Sequence, residues 1–107
     1  MVLKKKRVNK ELFEKVMKKG NTLSGSFFTF KYLQDTDSPI YAFVVPKKIT
    51  SKAVHRNRLK RRGYSIIRSL PFSGGLGIFF YKKNGTEASF KEIKNDINIL
   101  LKKAKLL

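Results

Sequence analysis

The sequence predicts a small α+β domain whose elements run helix, strands, helix, strand, helix. Three observations carry this prediction. Apolar residues recur at helical spacing in segments bounded by capping residues, they alternate strictly in SFFTFKYL, and short apolar runs lie between turn residues. With 107 residues, 41% hydrophobic and nine Phe, the chain is expected to form one domain (1–107) with a real core. It contains no repeat, linker or internal boundary.

Asn9 can cap a first helix that runs to about Lys19 and stops at Gly20, with Phe13, Val16 and Met17 on one narrow face. Leu23 and its neighbours suit a short edge strand. In SFFTFKYL (26–33), Phe28, Phe30 and Tyr32 share one side, and the pattern leaves open whether that side is core or cleft. QDTDSP (34–39) is turn chemistry. IYAFVV (40–45) is apolar on both faces, as expected of a central strand covered on both sides, and Pro46 ends it. A second helix is expected from near Ser51 to Leu70, before Pro71. GGLGIFFYKK (74–83) supplies another strand. Ser89 and Glu92 form a capping box for a last helix with the stripe Phe90, Ile93, Ile97, Leu100, Leu101 and Ala104. The tail LKKAKLL is expected to fray.

Charge is the dominant compositional fact: 25 Lys and Arg against 7 Asp and Glu, a formal +18. Between Ser38 and Thr86 there is no acid, while eleven basic residues occur, from Lys47, Lys48 and Lys52 to Lys82 and Lys83. Such self-repulsion points to a polyanionic partner, and nucleic acid rather than a membrane surface. The absence of Cys excludes disulfides and thiolate metal sites and suits a reducing compartment. No apolar run of signal-peptide or membrane-spanning length follows MVLKKKRV, so a cytoplasmic location is expected.

The basic residues concentrate in AVHRNRLKRRGY (53–64). On a helix at about 100° per residue, Leu59, Gly63, Ile66, Ile67 and Leu70 form the packing face. Arg61 and Arg68 point away from it, Arg58 and Arg62 flank it, and Arg56 falls on its side, toward an expected groove. Like charges at i, i+4 repel, and no carboxylate offsets them, so a merely solvated face does not explain the run. Arg suits bidentate phosphate contacts and base stacking.

KKITSKAVHRNRLKR (47–61) resembles the signature of the bacterial ribonuclease P protein subunit: Lys-Lys after a strand, Ala-Val, Arg-Asn-Arg, an apolar residue, and Lys-Arg. The flanking elements extend the similarity over nearly the whole chain. The resemblance implies an α/β sandwich of αβββαβα type, similar to a ribosomal-protein domain, with a left-handed strand–helix–strand crossover. It implies a monomeric protein within a ribonucleoprotein, bound to ribonuclease P RNA, which uses Mg²⁺ to cut the 5′ leader from precursor tRNA. By the same resemblance Arg56, Asn57, Arg58, Lys60 and Arg61 face RNA, with Arg62, Lys52, Lys47 and Lys48 beside them. Phe13, Met17 and Phe28 would line the leader cleft. Departures from the family pattern fall at Gly63, Tyr64 and Lys31, and in a segment before Phe13 that is about one residue short.

No catalytic or metal-binding residues are expected in the protein itself. His55, the single histidine, lies among cations, and Asp35 and Asp37 sit in ordinary turn chemistry. A purely structural RNA-binding protein is the rival explanation of the charge. The ordered Ala-Val/Arg-Asn-Arg/Lys-Arg core separates the two, because a generic basic patch needs no such order.

Overall fold

The computed structural model describes residues 10–34, 40–70 and 74–106. Asn9, residues 35–39 of the expected turn, and Pro71 lie outside them. Helix α1 (Lys10–Lys19) precedes strands β1 (Asn21–Ser24), β2 (Phe28–Leu33) and β3 (Ile40–Val44). Helix α2 (Ala53–Arg68), strand β4 (Leu76–Tyr81), a short 3-10 turn (Lys83–Thr86) and helix α3 (Phe90–Lys103) follow. The α+β prediction and its element order hold.

The strands form one four-stranded sheet in the order β1-β2-β4-β3. β1 and β2 form an antiparallel hairpin, β2 pairs antiparallel with β4, and β3 runs parallel to β4 through the α2 crossover. The expectation of a central β3 is therefore corrected: β4 is central and β3 is an edge strand. Both faces of β3 are apolar for different reasons. Tyr41 and Phe43 are buried in the main core, whereas Ile40, Ala42 and Val44 lie half-buried on the opposite face.

Alternation along the strands divides the sheet into two unequal faces. Phe28, Phe30, Tyr32, Tyr41, Phe43, Phe79 and Tyr81 face α2 and α3 and pack with Leu59, Ile66, Ile67, Ile93, Ile97, Leu100 and Leu101. Aromatic pairs knit this layer together: Phe79 stacks on Phe30 at 4.2 Å and on Phe43 at 4.8 Å. On the other face α1 contributes Val16 to a smaller cluster with Leu76 and Ile78. Phe90 is the exception to the expected α3 stripe, being 48% exposed in the first turn of its helix.

Gly63 and Tyr64, which depart from the family pattern, build the α2–β3 contact. A Cβ on Gly63 would lie 2.5 Å from the Phe43 ring, so only glycine admits that ring against the helix. The Tyr64 ring meets Phe43 edge-on at 5.0 Å, and its hydroxyl accepts the Phe43 N–H at 3.3 Å. A donor on an edge strand is thereby satisfied.

The two ends of α3 are both closed. The Ser89–Glu92 capping box forms as expected, with the Glu92 N–H donating to Ser89 Oγ at 3.1 Å and the Ser89 N–H to Glu92 Oε1 at 2.8 Å. At the other end Lys105 turns left-handed (φ 62°), and the Lys105 and Leu106 N–H groups donate to the carbonyls of Lys102 and Leu101. This Schellman closure buries Ala104 and Leu106, which corrects the expected fraying through Leu106. Asp96, buried on α3, accepts the N–H groups of Ser26 and Phe27 at 3.0 and 2.9 Å. Gly25 permits this approach, since a Cβ there would lie 2.8 Å from either carboxylate oxygen. Lys82 secures the same hairpin by donating to Ser24 Oγ and the Gly25 carbonyl.

Candidate nucleic-acid interface

α2 presents its charge as the helical geometry requires. Leu59, Gly63, Ile66 and Ile67 are buried, while Asn57, Arg61 and Arg68 are exposed away from them, Arg58 is exposed beside Leu59, and Val54 is 67% exposed at the head of the helix. Lys47, Lys48 and Lys52 are exposed in the approach to the helix, and Lys60 is half-buried. The first turn contains no acid, and Lys52 makes no side-chain cap bond. The positive end of the helix dipole thus adds to the side-chain charge at the place where an anion can reach it.

Two of the arginines expected at the RNA also hold backbone carbonyls. Arg56 does not reach into a groove: its Nη1 donates to the carbonyls of Thr50 (3.1 Å) and Ser51 (2.7 Å), tying the incoming loop to the helix. Arg62 Nη1 donates to the Ala88 carbonyl at 3.3 Å, fixing the loop before α3. Their guanidinium groups retain further donors for a ligand, but both are anchored to the fold. Beside Arg62, the Tyr81 hydroxyl donates to the Leu59 carbonyl at 2.7 Å. Burial pushes the Tyr81 phenol well above its usual range, and the neighbouring Arg62 charge opposes this only in part.

The candidate groove is the half-buried apolar surface on the other face of the sheet, beside α1. Phe13 meets Phe80 edge-on at 6.3 Å, Ala42 and Val44 are half-buried in the same cluster, and Met17 on α1 is 42% exposed. Phe28, expected in this cleft, is not there. It is fully buried on the opposite face, at 4.6 Å from Tyr81 and 5.5 Å from Phe79. The cause is strand parity: residues 28, 30 and 32 point to the α2/α3 layer, leaving Thr29 and Lys31 toward α1. The aromatic on the groove side is Phe80, which stands beside Thr29 on one neighbouring strand and Val44 on the other. The alternation of LGIFFY separates Phe79 from Phe80, but only the partner layers decide which of them is core. Lys31, on the same face, donates from Nζ to Thr22 Oγ1 at 3.2 Å.

β3 and β4 are parallel, so both end at the same side of the sheet. The half-open residues Val44 and Phe80 lie at that end. From it emerge the loop carrying Lys47, Lys48 and Lys52, which leads into α2, and the loop leading to α3. Aromatic groove and basic helix thus converge on the carboxyl ends of two parallel strands, a common place for ligands in such sheets. Among the described residues no group of three or more His, Cys, Asp or Glu comes together as metal ligands, and no helix is long and apolar enough to cross a membrane.

A family model described as Ribonuclease P matches residues 3–105. The chain belongs to the ribonuclease P protein family. The ribonuclease P protein component of Pseudanabaena is 33% identical over 103 residues, covering 92% of this chain and 89% of the relative. That of Microcystis aeruginosa is 31% identical over 103 residues, covering 89% and 86%. The solved ribonuclease P protein from Thermotoga maritima superposes with a TM-score of 0.80 over 94% of this chain and 97% of its own, at 24% identity, and so shares the fold. Family membership gives the chain a role in the ribonuclease P complex, a tRNA-processing ribonucleoprotein.

Proposed function

We propose that the chain holds two RNAs for ribonuclease P: the exposed side of α2 binds the catalytic RNA, and the groove beside α1 holds the 5′ leader of precursor tRNA. Arg58, Arg61, Lys60 and Asn57, with Lys47, Lys48 and Lys52, neutralise phosphates. Arg56 and Arg62 fix the loops on either side of the helix. Phe13, Met17 and Phe80 offer apolar surface to unpaired bases, each stack contributing about 1–3 kcal/mol. The RNA component and its Mg²⁺ carry out the hydrolysis. The protein shields phosphate repulsion and so lowers the Mg²⁺ concentration required. It acts as a monomer within the particle, in the cytoplasm.

The observation that carries this is the convergence of the Phe13–Phe80 groove and the approach to α2 at one end of the sheet. A single-stranded leader needs both features at once, stacking surfaces for its bases and cations for its backbone. The test is reconstitution with a bacterial ribonuclease P RNA and assay of precursor tRNA cleavage at low Mg²⁺. Stimulation is expected. Its absence refutes the proposal, and cleavage by the protein alone would assign the chemistry to the chain instead.

A further inference from the structure

A second hollow lies on the α2/α3 side of the sheet, apart from the groove beside α1. It encloses about 390 Å³ and is lined by Ile49, Thr50, His55, Arg58, Leu59, Arg62, Thr86 and Glu87. His55, Arg58, Leu59 and Arg62 stand at i, i+3, i+4 and i+7, one stripe of α2 that forms the floor. The loop before α2 makes one bank and the loop before α3 the other. Each bank is tied down: Arg56 holds the Thr50 and Ser51 carbonyls, and Arg62 holds the Ala88 carbonyl. Thr86 Oγ1 donates to the Lys83 carbonyl at 2.8 Å, which fixes its own turn. The hollow is thus built before any ligand arrives, and its size is within the range of small-molecule sites.

Its chemistry is mixed in a specific way. Arg58 is exposed and can take a phosphate. Ile49 and Leu59 supply apolar surface, and the His55 imidazole a flat one, against which a base can lie. Glu87 is the anomaly. It is the first acid after the acid-free stretch, and it stands on the rim of a basic site, where a carboxylate weakens phosphate binding. A carboxylate accepts hydrogen bonds and donates none, so its natural counterpart is a ligand edge carrying donors. Among RNA bases, guanine presents two adjacent donors, N1–H and N2–H, on its Watson–Crick edge. Adenine presents an acceptor nitrogen there, which a carboxylate repels.

We propose that this hollow binds one unpaired guanosine nucleotide of RNA, with Glu87 receiving the guanine N1–H and N2–H, Ile49, Leu59 and His55 packing on the base, and Arg58 holding the phosphate. The proposal rests on α2 meeting RNA and adds a base preference to it. Unpaired bases read on their Watson–Crick edges are the usual means of sequence-specific RNA recognition.

The test is titration of the full chain with GMP, AMP and inorganic phosphate, followed by amide chemical shifts. GMP is expected to shift Ile49, Thr50, Thr86 and Glu87 and to bind at least about fivefold more tightly than AMP or phosphate, the discrimination of one good paired edge. Glu87→Ala is expected to bring GMP down to the AMP level. Glu87→Gln, which keeps one acceptor oxygen, should fall between. Equal binding of GMP, AMP and phosphate would reduce the hollow to an anion site and overturn the proposal. So would shifts centred on Phe13 and Phe80, no binding at all, or undiminished discrimination in Glu87→Ala. Cleavage stimulation by the unaltered chain tests the RNA-holding role separately, so either reading can fail without the other.

Discussion

Phe28→Ala and Phe80→Ala separate core from groove with the same chemical change. Phe28 is 0% exposed, with the rings of Tyr81, Phe79 and Phe43 at 4.6, 5.5 and 6.1 Å. Truncating such a side chain costs about 3–5 kcal/mol through lost burial and the cavity it leaves. Total stability for a domain of this size is about 5–15 kcal/mol, so the loss is about a fifth of it or more. Tm should fall by at least about 12 °C. Phe80 is half-buried with Phe13 at 6.3 Å, so its truncation should cost about 1–2 kcal/mol of stability. It should also remove one stacked base, weakening leader-bearing RNA about 5- to 150-fold. The assays are urea unfolding of the protein, and binding of precursor against mature tRNA by the reconstituted particle. The assignment is refuted if Phe28→Ala costs under about 1 kcal/mol yet lowers precursor affinity selectively. Equal losses for precursor and mature tRNA in Phe80→Ala would refute it as well.

Asp96→Ala should destabilise by about 2–4 kcal/mol in urea melts, because the Ser26 and Phe27 N–H groups lose a charged acceptor inside the fold. A cost near zero would mean that the hairpin is held without it. Arg58→Ala should reduce the slope of log affinity for RNA against log salt by about 0.7–0.9, one phosphate's share, and an unchanged slope would count against a direct contact. Burial raises the Tyr41 and Tyr81 phenols far above their unfolded values. Their stabilising contribution is complete below about pH 10, where the unfolded phenols begin to ionise, and is lost as pH rises above that. In an alkaline titration two of the four tyrosines should therefore ionise only as the fold is lost, which tyrosinate absorbance followed together with circular dichroism would show.

How much was legible depended on whether the deciding partner was local. The Ser89–Glu92 capping box, the α2 stripe from Leu59 to Ile67 and the alternation of β2 depend on neighbours within a few residues, and all appear as expected. The side of the sheet that each alternating set meets depends on α1 and α3, far away in sequence. Phe28 and Phe80 could not be sorted between core and groove for that reason. The edge position of β3 was hidden because a half-open groove and a covered face are both apolar. Arg56, Arg62 and Asp96 show the same limit for charge. Their partners are backbone atoms of loops, which no residue type announces, and sequence counts them only as charges. The Schellman turn at Lys105 was missed because glycine, its usual signal, is absent.

The placement of β4 has a consequence for biogenesis. β2 and β3 are made early, but in the finished sheet they are not neighbours, because β4 lies between them. Until residues 76–81 leave the ribosome, neither strand has this partner, and the aromatic layer around Phe79 cannot close. Folding must therefore wait for a non-local event late in synthesis, and such long-range pairings are slow to form. Throughout that wait the emerging chain is strongly cationic and surrounded by RNA. Chains halted before residue 76 should remain protease-sensitive, and those extended past Leu106 should become resistant in a single step.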